Sequence, residues 1–464
     1  MRVTFLGAAQ RVTGSATLIE TGRTRLLVDA GLSHDGTHHP GAKPLPLNPR
    51  HLDAVVLTHA HADHSGLVPY LVQNGFRGPI YATPGTIDLC RLILPDSGHI
   101  QEEAAAQARR HGRGGALPLY TQVQAHASLR QFERLPYGKT LVLDRDIRLT
   151  LHDAGHLLGS ALVEFEIEGS RLVFTGDLGR GSGPLQRPPA CLERIDYLVT
   201  ESTYGDREHE PASTRQEQLA ALIRETQGPL LIPAFAVGRT QELLWDLMEL
   251  SERMELPPIH LDSPMALAAT QLYARHAANL DPRASFAVRN GALLDIPGLR
   301  IVEDPEESRR LSRNGGRHII LSAGGMCEGG RIRHHLHRQL GNPDATVALV
   351  GFQAPGTLGR RLREGARTVR MMGQTLGVAA RIASVGGYSA HADARAIIDW
   401  IGGLEEMPAL TFLTHGEPHA SRELGDRLGR ELGLMHVAPG PMDAFDLLPV
   451  QSPSAHLHRG RRSA

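Results

Sequence analysis

The stretch His59-Ala60-His61-Ala62-Asp63-His64 places three imidazoles and one carboxylate within six residues. Nitrogen and oxygen donors of this kind suit zinc, and a mixed donor set leaves a coordination position for water. The preceding run, Ala54-Val55-Val56-Leu57-Thr58, is apolar and β-branched and predicts a buried strand. Ligands at the end of such a strand project from a rigid edge into one space. His59 and His61 are two residues apart, so an extended backbone points both the same way. Asp63 and His64 follow the turn and point elsewhere, towards a second metal.

Later strand ends extend this pattern. His156 follows Asp153-Ala154-Gly155, and Asp177 follows Phe174-Thr175-Gly176. A first metal on His59, His61 and His156 needs a counter-charge, and Asp177 supplies a carboxylate able to bridge to a second metal on Asp63, His64 and His415. Two metals about 3.5–4 Å apart lower the pKa of a bridging water and clamp the attacking oxygen. Asp63 and Asp177 therefore count both as ligands and as catalytic carboxylates. Asp29 ends an earlier strand and is expected to orient a ligand imidazole rather than to bind metal.

His391 lies among small neighbours, Ser389, Ala390 and Ala392, which let a substrate approach closely. A histidine can protonate a leaving oxygen, and a carboxylate on its other ring nitrogen, for which Glu201 is the candidate, would hold it in place. Ser322-Ala323-Gly324-Gly325-Met326 joins a strand to a helix and offers backbone N–H groups to an anion. Arginines 331, 333 and 338, with His334, His335 and His337, make that helix basic, and arginines 360, 361, 363, 367 and 370 follow. Such runs are as often plain solvated faces, but beside a two-metal site they suit a phosphodiester chain.

The elements that must position these residues fall into three parts. Up to Asp206, strands end again and again in a His, Asp or Glu, the geometry of a site built along one edge of packed sheets. From Thr214 to Val350, strands and helices alternate at βαβ lengths and predict a parallel, Rossmann-like layer, although no dinucleotide fingerprint sits on its first turn. Short strands return near residue 369, and His456 to Ala464 reads as a frayed basic tail. At 464 residues the chain exceeds one ordinary core.

The composition is globular, 41% hydrophobic and 21% charged, and a net charge of −1 gives no whole-chain argument for nucleic acid. Cys90, Cys191 and Cys327 are too few and too far apart for a disulfide framework. The opening residues carry no signal-peptide pattern, and no run approaches a membrane span. The expectation is a cytoplasmic protein with no membrane partner.

Together these residues resemble a known family. His-x-His-x-Asp-His with Asp29, His156, Asp177 and a late His is similar to the metallo-β-lactamase superfamily. Glu201, Pro233 to Arg239, Ser322 to Met326, Ser389 to Asp393 and Thr414-His415-Gly416 narrow the resemblance to the β-CASP ribonucleases. Within them the chain looks like the bacterial and archaeal relatives of the 73-kDa cleavage and polyadenylation specificity factor subunit. The resemblance implies an α/β fold, an αββα metallo-β-lactamase sandwich with an inserted Rossmann-like β-CASP domain. The expected division is 1–205 and 369–464 for the sandwich and 206–368 for the insertion.

The resemblance also implies two zinc ions per chain in the cleft between the domains, with RNA as the partner. RNA would be hydrolysed to a 5′-phosphate and a 3′-hydroxyl, endonucleolytically on single strands or also from the 5′ end. His415, where DNA-acting members typically carry Val, favours RNA. Ser322, Gly325, Arg239, Ser389 and His391 are the expected RNA contacts. Some relatives carry N-terminal KH domains and a long C-terminal extension that this sequence lacks, which leaves RNA selection and homodimer formation open. The rivals are a small-molecule hydrolase of the same superfamily and a non-catalytic RNA-binding subunit. A redox di-iron protein is disfavoured by His61, because those relatives carry Glu there.

Overall fold

The computed structural model describes residues 1–33, 45–110 and 117–450. The expected basic tail, His456 to Ala464, lies outside them.

Two seven-stranded sheets pack face to face. The first runs in the order Ala444–Asp446, Arg2–Gly7, Ala16–Glu20, Arg25–Val28, Ala54–Val56, Ile80–Ala82 and Phe132–Arg134. The second runs His436–Val437, Leu410–Thr414, Tyr197–Glu201, Ser170–Phe174, Ala161–Ile167, Ile147–Asp153 and Thr140–Asp144. Their strand period of two turns alternate residues into the shared core. Val3, Phe5, Ile19, Leu26, Val28 and Val56 of one sheet meet Leu149, Phe165, Leu172, Phe174, Val199 and Phe412 of the other.

Helices cover both outer faces. Ala394–Gly402 buries Ile397, Ile398 and Ile401, spaced as one helical face, against Leu162, Val173 and Leu198 of the second sheet. On the first sheet, the helix Pro84–Arg110 buries Ile87, Leu89, Cys90 and Leu94. The layers are therefore αββα. The helix Pro84–Arg110 is followed by a second helix, Gln122–Ser128, and a short strand, Phe132–Arg134, that extends the sheet edge.

The third sheet is parallel throughout, in the order Leu299–Ile301, Ile259–Asp262, His318–Ala323, Pro229–Ala234, Thr346–Leu349 and Arg381–Ser384. Pro229–Ala234 is buried at every residue, as a central strand covered by helices on both faces must be. One strand departs from the sequence reading. Arg381–Ser384 lies beyond the insertion end expected at 368, yet it pairs with Thr346–Leu349 and extends the inserted sheet. Four residues of modest apolarity fit either sheet, so only the tertiary pairing decides.

Among the described residues no helix is long and apolar enough to cross a membrane.

Candidate metal centre and cleft

The parallel neighbours Ser170–Phe174, Tyr197–Glu201 and Leu410–Thr414 are in register, Phe174 beside Val199 and Glu201 beside Thr414. Their carboxyl ends therefore deliver Asp177, Glu201 and His415 to one rim of the sandwich. The facing sheet delivers Asp29 and the His59 to His64 stretch to the same rim. There Ala62–Ser65 turns into a short helix that begins at His61, and the His64 ring comes back to within 4.0 Å of the His59 ring, centre to centre.

The expected ligands come together as two groups. His59, His61, His156 and Asp177 form one, and Asp63, His64 and His415 the other, each with donor atoms within 4.8 Å of one another. Asp177 stands between them. Its Oδ2 is 3.4 Å from His59 Nε2 and 3.5 Å from His156 Nε2. Its Oδ1 is 3.1 Å from His64 Nε2 and 3.6 Å from His415 Nδ1. His415 Nε2 is in turn 3.5 Å from Asp63 Oδ2.

Partners behind the ligands set their tautomers. Asp29 accepts from the Thr58 N–H and the Thr58 hydroxyl, both at 2.8 Å, and its Oδ2 lies 2.7 Å from His64 Nδ1. The proton of His64 is thereby held on Nδ1, and Nε2 faces Asp177. The Thr203 hydroxyl donates to the His415 carbonyl at 2.9 Å and so accepts from His415 Nδ1 at 3.0 Å. Asp29 and His415 both adopt left-handed backbone, φ +60° and +49°, which is costly for residues other than glycine and is held in place here by these bonds.

Burial, then the neighbouring His64, pushes His59 well below the usual imidazole value, and burial likewise lowers His61 and His156. These three imidazoles thus favour the neutral form, the one a metal ligand needs. His64 is also buried, but the Asp177 and Asp29 carboxylates raise it well above its ordinary value. Burial alone would raise Asp177. The surrounding His415, His64 and His391 outweigh it and hold the carboxyl well below the usual range.

The residues present fit two cations. His61 Nε2, both ring nitrogens of His156 and Asp177 Oδ1 are buried without a hydrogen-bond partner. His64 Nε2 and His415 Nε2 face each other at 3.3 Å. Unpartnered buried polar atoms are expensive, and a cation within each group would satisfy them. Neutral imidazoles with carboxylates are the donor set of zinc.

His391 adjoins both groups, its ring centroid 4.7 Å from that of His156 and 6.1 Å from that of His415. Its Nδ1 lies 2.9 Å from Glu201 Oε2, and Glu201 Oε1 accepts the Leu178 N–H at 2.6 Å. Burial disfavours the imidazolium, but Glu201 and Asp177 outweigh burial and lift His391 to about 9. The segment is pinned from behind. The Arg180 N–H donates to the Ala390 carbonyl at 3.2 Å, His209 Nε2 meets the His391 carbonyl at 3.1 Å, and Asp393 accepts the His209 N–H at 2.7 Å.

The inserted layer reaches this rim through Phe235, at the end of Pro229–Ala234, whose ring centroid is 6.3 Å from that of His61. Gly325 packs directly on it, since a Cβ there would lie 3.0 Å from the Phe235 ring. Ser389 is half-buried two residues before His391.

Two expected RNA contacts are engaged elsewhere. The Ser322 hydroxyl is buried and donates to the Asp262 carbonyl at 3.0 Å, because its strand turns that side chain into the sheet. Arg239 is buried on an ion pair to Glu242 at 2.6 Å, one helical turn on, with the Tyr388 ring 6.0 Å away. Thr58, Thr203, Phe235 and His209 were not anticipated. Of these, Thr58 adjoins the His59 cluster and Phe235 lies within the stretch Pro233 to Arg239.

Comparison with known proteins agrees with this arrangement. Residues 9–225 match the model of the metallo-beta-lactamase superfamily, 240–362 that of the Beta-Casp domain, and 375–439 that of the Zn-dependent metallo-hydrolase RNA specificity domain. The chain is 34% identical over 447 residues to ribonuclease TTHA0252 of Thermus thermophilus, covering 95% of this chain and 99% of that protein. It is 32% identical over 476 residues to the transcription termination factor FttA of Pyrococcus abyssi, covering 96% of this chain and 71% of that protein. A crystal structure of a protein of unknown function from Enterococcus faecalis aligns with a TM-score of 0.54 and 12% identity, over 96% of this chain and 99% of the other, and shares the fold.

Proposed function

The chain belongs to the β-CASP group of the metallo-β-lactamase superfamily, whose members are metal-dependent hydrolases, and from that premise we propose that it is a zinc-dependent ribonuclease acting by a two-metal mechanism. The observation that carries this reading is the position of Asp177, one carboxylate oxygen towards each ligand group and His391 Nδ1 3.8 Å from Oδ2. A hydrolase needing one metal and no acid would require neither the second group nor the His391–Glu201 pair.

His59, His61, His156 and Asp177 would hold one zinc, and Asp63, His64, His415 and Asp177 the other. So bound, the pair would lower the pKa of a water between them and offset the charge building on the phosphate. Asp177 and Asp63 supply the anionic acceptors that orient that water. His391 carries the proton to the departing oxygen. Glu201, fixed by the Leu178 N–H, keeps the His391 ring turned and charged until the proton is given up. Water attacks phosphorus and gives up a proton to Asp177 or Asp63, the bond from phosphorus to the 3′ oxygen breaks, and that oxygen takes the His391 proton. The products are a 5′-phosphate and a 3′-hydroxyl.

The sandwich would comprise 1–205 and 369–464, with the insertion at 206–368 joined by the strand Arg381–Ser384. Gly325, Phe235, Ser389 and His391 would line the RNA path. The reading takes the chain as cytoplasmic and includes homodimer formation.

The deciding experiment incubates the zinc-loaded protein with end-labelled single-stranded RNAs bearing a 5′-triphosphate, monophosphate or hydroxyl. Internal fragments from all three indicate endonucleolytic cutting, and a monophosphate-dependent ladder indicates action from the 5′ end. Intact RNA at full zinc content, with turnover of a thioester or lactam instead, overturns the proposal in favour of a small-molecule hydrolase. Intact RNA with tight RNA binding overturns it in favour of a non-catalytic subunit.

A further inference from the structure

Residues 330–385 hold nine arginines and two acidic residues, Asp344 and Glu364, in a chain whose net charge is −1. Most of the chain is therefore acidic on balance, and the positive charge is concentrated in one place.

That place is continuous with the cleft. Phe235 stands beside His61, and Gly325 packs on Phe235. Gln353 Nε2 donates to the Gly325 carbonyl at 2.9 Å, and the Gly359 N–H donates to the Met326 carbonyl at 3.1 Å. The helix Leu358–Arg363 thus starts at the turn that packs on Phe235.

Leu358 and Leu362 are buried on one helical face, which leaves Arg361 and Arg363 exposed on the other. The chain then enters the hairpin Thr368–Met371 and Gln374–Gly377. Val369 and Met371 are buried, so the period of two turns Arg370 outward. His337 Nε2 meets Gln374 Oε1 at 3.1 Å, which brings the basic helix Ile332–Gln339 against the same hairpin. Arg361, Arg363, Arg367 and Arg370 are exposed, and none has an acidic partner among the described residues.

An ordinary solvated face intersperses charges of both signs, whereas this one keeps four exposed guanidinium groups unneutralised on the helix and hairpin that follow the turn packed on Phe235. The helix gives about 9 Å and the strand about 13 Å of length, together at most about 22 Å. Resting on the ribonuclease reading, we infer that the face formed by Arg361, Arg363, Arg367 and Arg370 is a second RNA-binding surface, which holds the single-stranded flank of the substrate outside the cleft. It binds phosphates and carries no base code, so it lowers KM for long RNA and leaves kcat unchanged.

The test compares the wild type with the Arg361→Glu, Arg363→Glu, Arg370→Glu triple variant on two RNAs, one of about six nucleotides that fills only the cleft and one of about 30 that also reaches the face. Binding is measured by fluorescence anisotropy separately from cleavage, and thermal midpoints confirm that both proteins are folded. For the long RNA, KM should rise at least about tenfold at constant kcat, and the slope of log binding constant against log salt should shrink by about 2. For the short RNA both constants should stay unchanged. Equal losses on both RNAs, no loss on either, or polyglutamate displacing long RNA as well as unlabelled RNA does would overturn the assignment. If the wild type binds long RNA through this face yet cuts none, the ribonuclease reading fails while the surface stands.

Discussion

His64 Nδ1 lies 2.7 Å from Asp29 Oδ2, and this bond decides which nitrogen of His64 faces the metal centre. Asp29 also takes both donors of Thr58, so it ties the backbone just before His59 to the ring of His64. Replacing it with asparagine keeps the volume but removes the negative acceptor that fixes the tautomer. Asp29→Asn should bind zinc about 10–100-fold more weakly, with the fold retained. Competition with a chelator of known affinity measures this, and wild-type affinity in the variant would show that the bond does not position the ligand.

His391 clusters with Glu201 and Asp177, a third set of donors outside the two histidine-rich ligand groups. His391→Ala should therefore keep its zinc and lose about 10²–10⁴-fold in kcat. Glu201→Gln should lose less, because the ring stays packed while its charge is no longer supported. The loss in Glu201→Gln should also depend on pH. Burial opposes the imidazolium, and without the carboxylate that lifts it to about 9 the acid is spent at lower pH, so the alkaline limb of the kcat profile moves down. Metal analysis alongside a pH series reads both, and an unmoved limb would remove Glu201 from the proton step.

The ligand set was legible because its residues announce themselves by type at strand ends. His59 to His64 is a local cluster, and Asp177 and His415 each follow an apolar β-branched or aromatic run. Thr203 and Phe235 were not legible. Thr203 acts through a contact with His415, 212 positions away, and Phe235 through a layer that folds back over the rim. Arg239 looked available because basic residues near an insertion suggest phosphate, yet Glu242 stands three residues on, the spacing at which helical side chains pair. Ser322 failed for another reason. Which face of a buried parallel strand meets solvent is set by its neighbours, and both faces of His318–Ala323 are covered over most of its length.

Asp153 gives a stability prediction independent of metal. Burial raises its carboxyl to about 6, against opposing effects of the Gly155 N–H and Arg187. The folded-state pKa is raised, so the native state binds a proton more readily than the unfolded chain does. Stability is greatest at acid pH and declines as pH rises through about 6, where a buried carboxylate must be kept. Asparagine still accepts the Gly155 N–H, at 2.9 Å in the wild type, and never ionises. Asp153→Asn should therefore stabilise the protein at pH 8 by about 2 kcal/mol, discounting for partial exposure, and by about half as much near pH 5, where only the unfolded chain is mostly ionised. Thermal midpoints at the two pH values test this, and a variant no more stable at pH 8 than at pH 5 relative to wild type would contradict it.

Arg215 and Asp246 form an ion pair inside the inserted layer, with contacts of 2.8 and 3.0 Å, and both side chains are almost wholly buried. The Arg215 guanidinium also sits 5.5 Å from the centre of the Tyr388 ring, three residues before His391. The pair therefore joins the helices Arg215–Glu225 and Arg239–Ser251 and bears on the segment that carries the acid. Asp246→Ala leaves a buried guanidinium without its counter-charge and should cost about 3–5 kcal/mol. Replacing both partners with apolar residues of similar volume, Arg215→Met with Asp246→Leu, should recover most of that stability, since neither charge then remains to be desolvated. If the pair matters only for folding, the double variant should regain kcat as well. If the guanidinium also orders Tyr388 and hence His391, stability should return while kcat stays depressed, because methionine removes the nearer of the two guanidinium groups that face Tyr388. The second result is the one expected, and denaturation curves beside single-turnover cleavage rates separate the two.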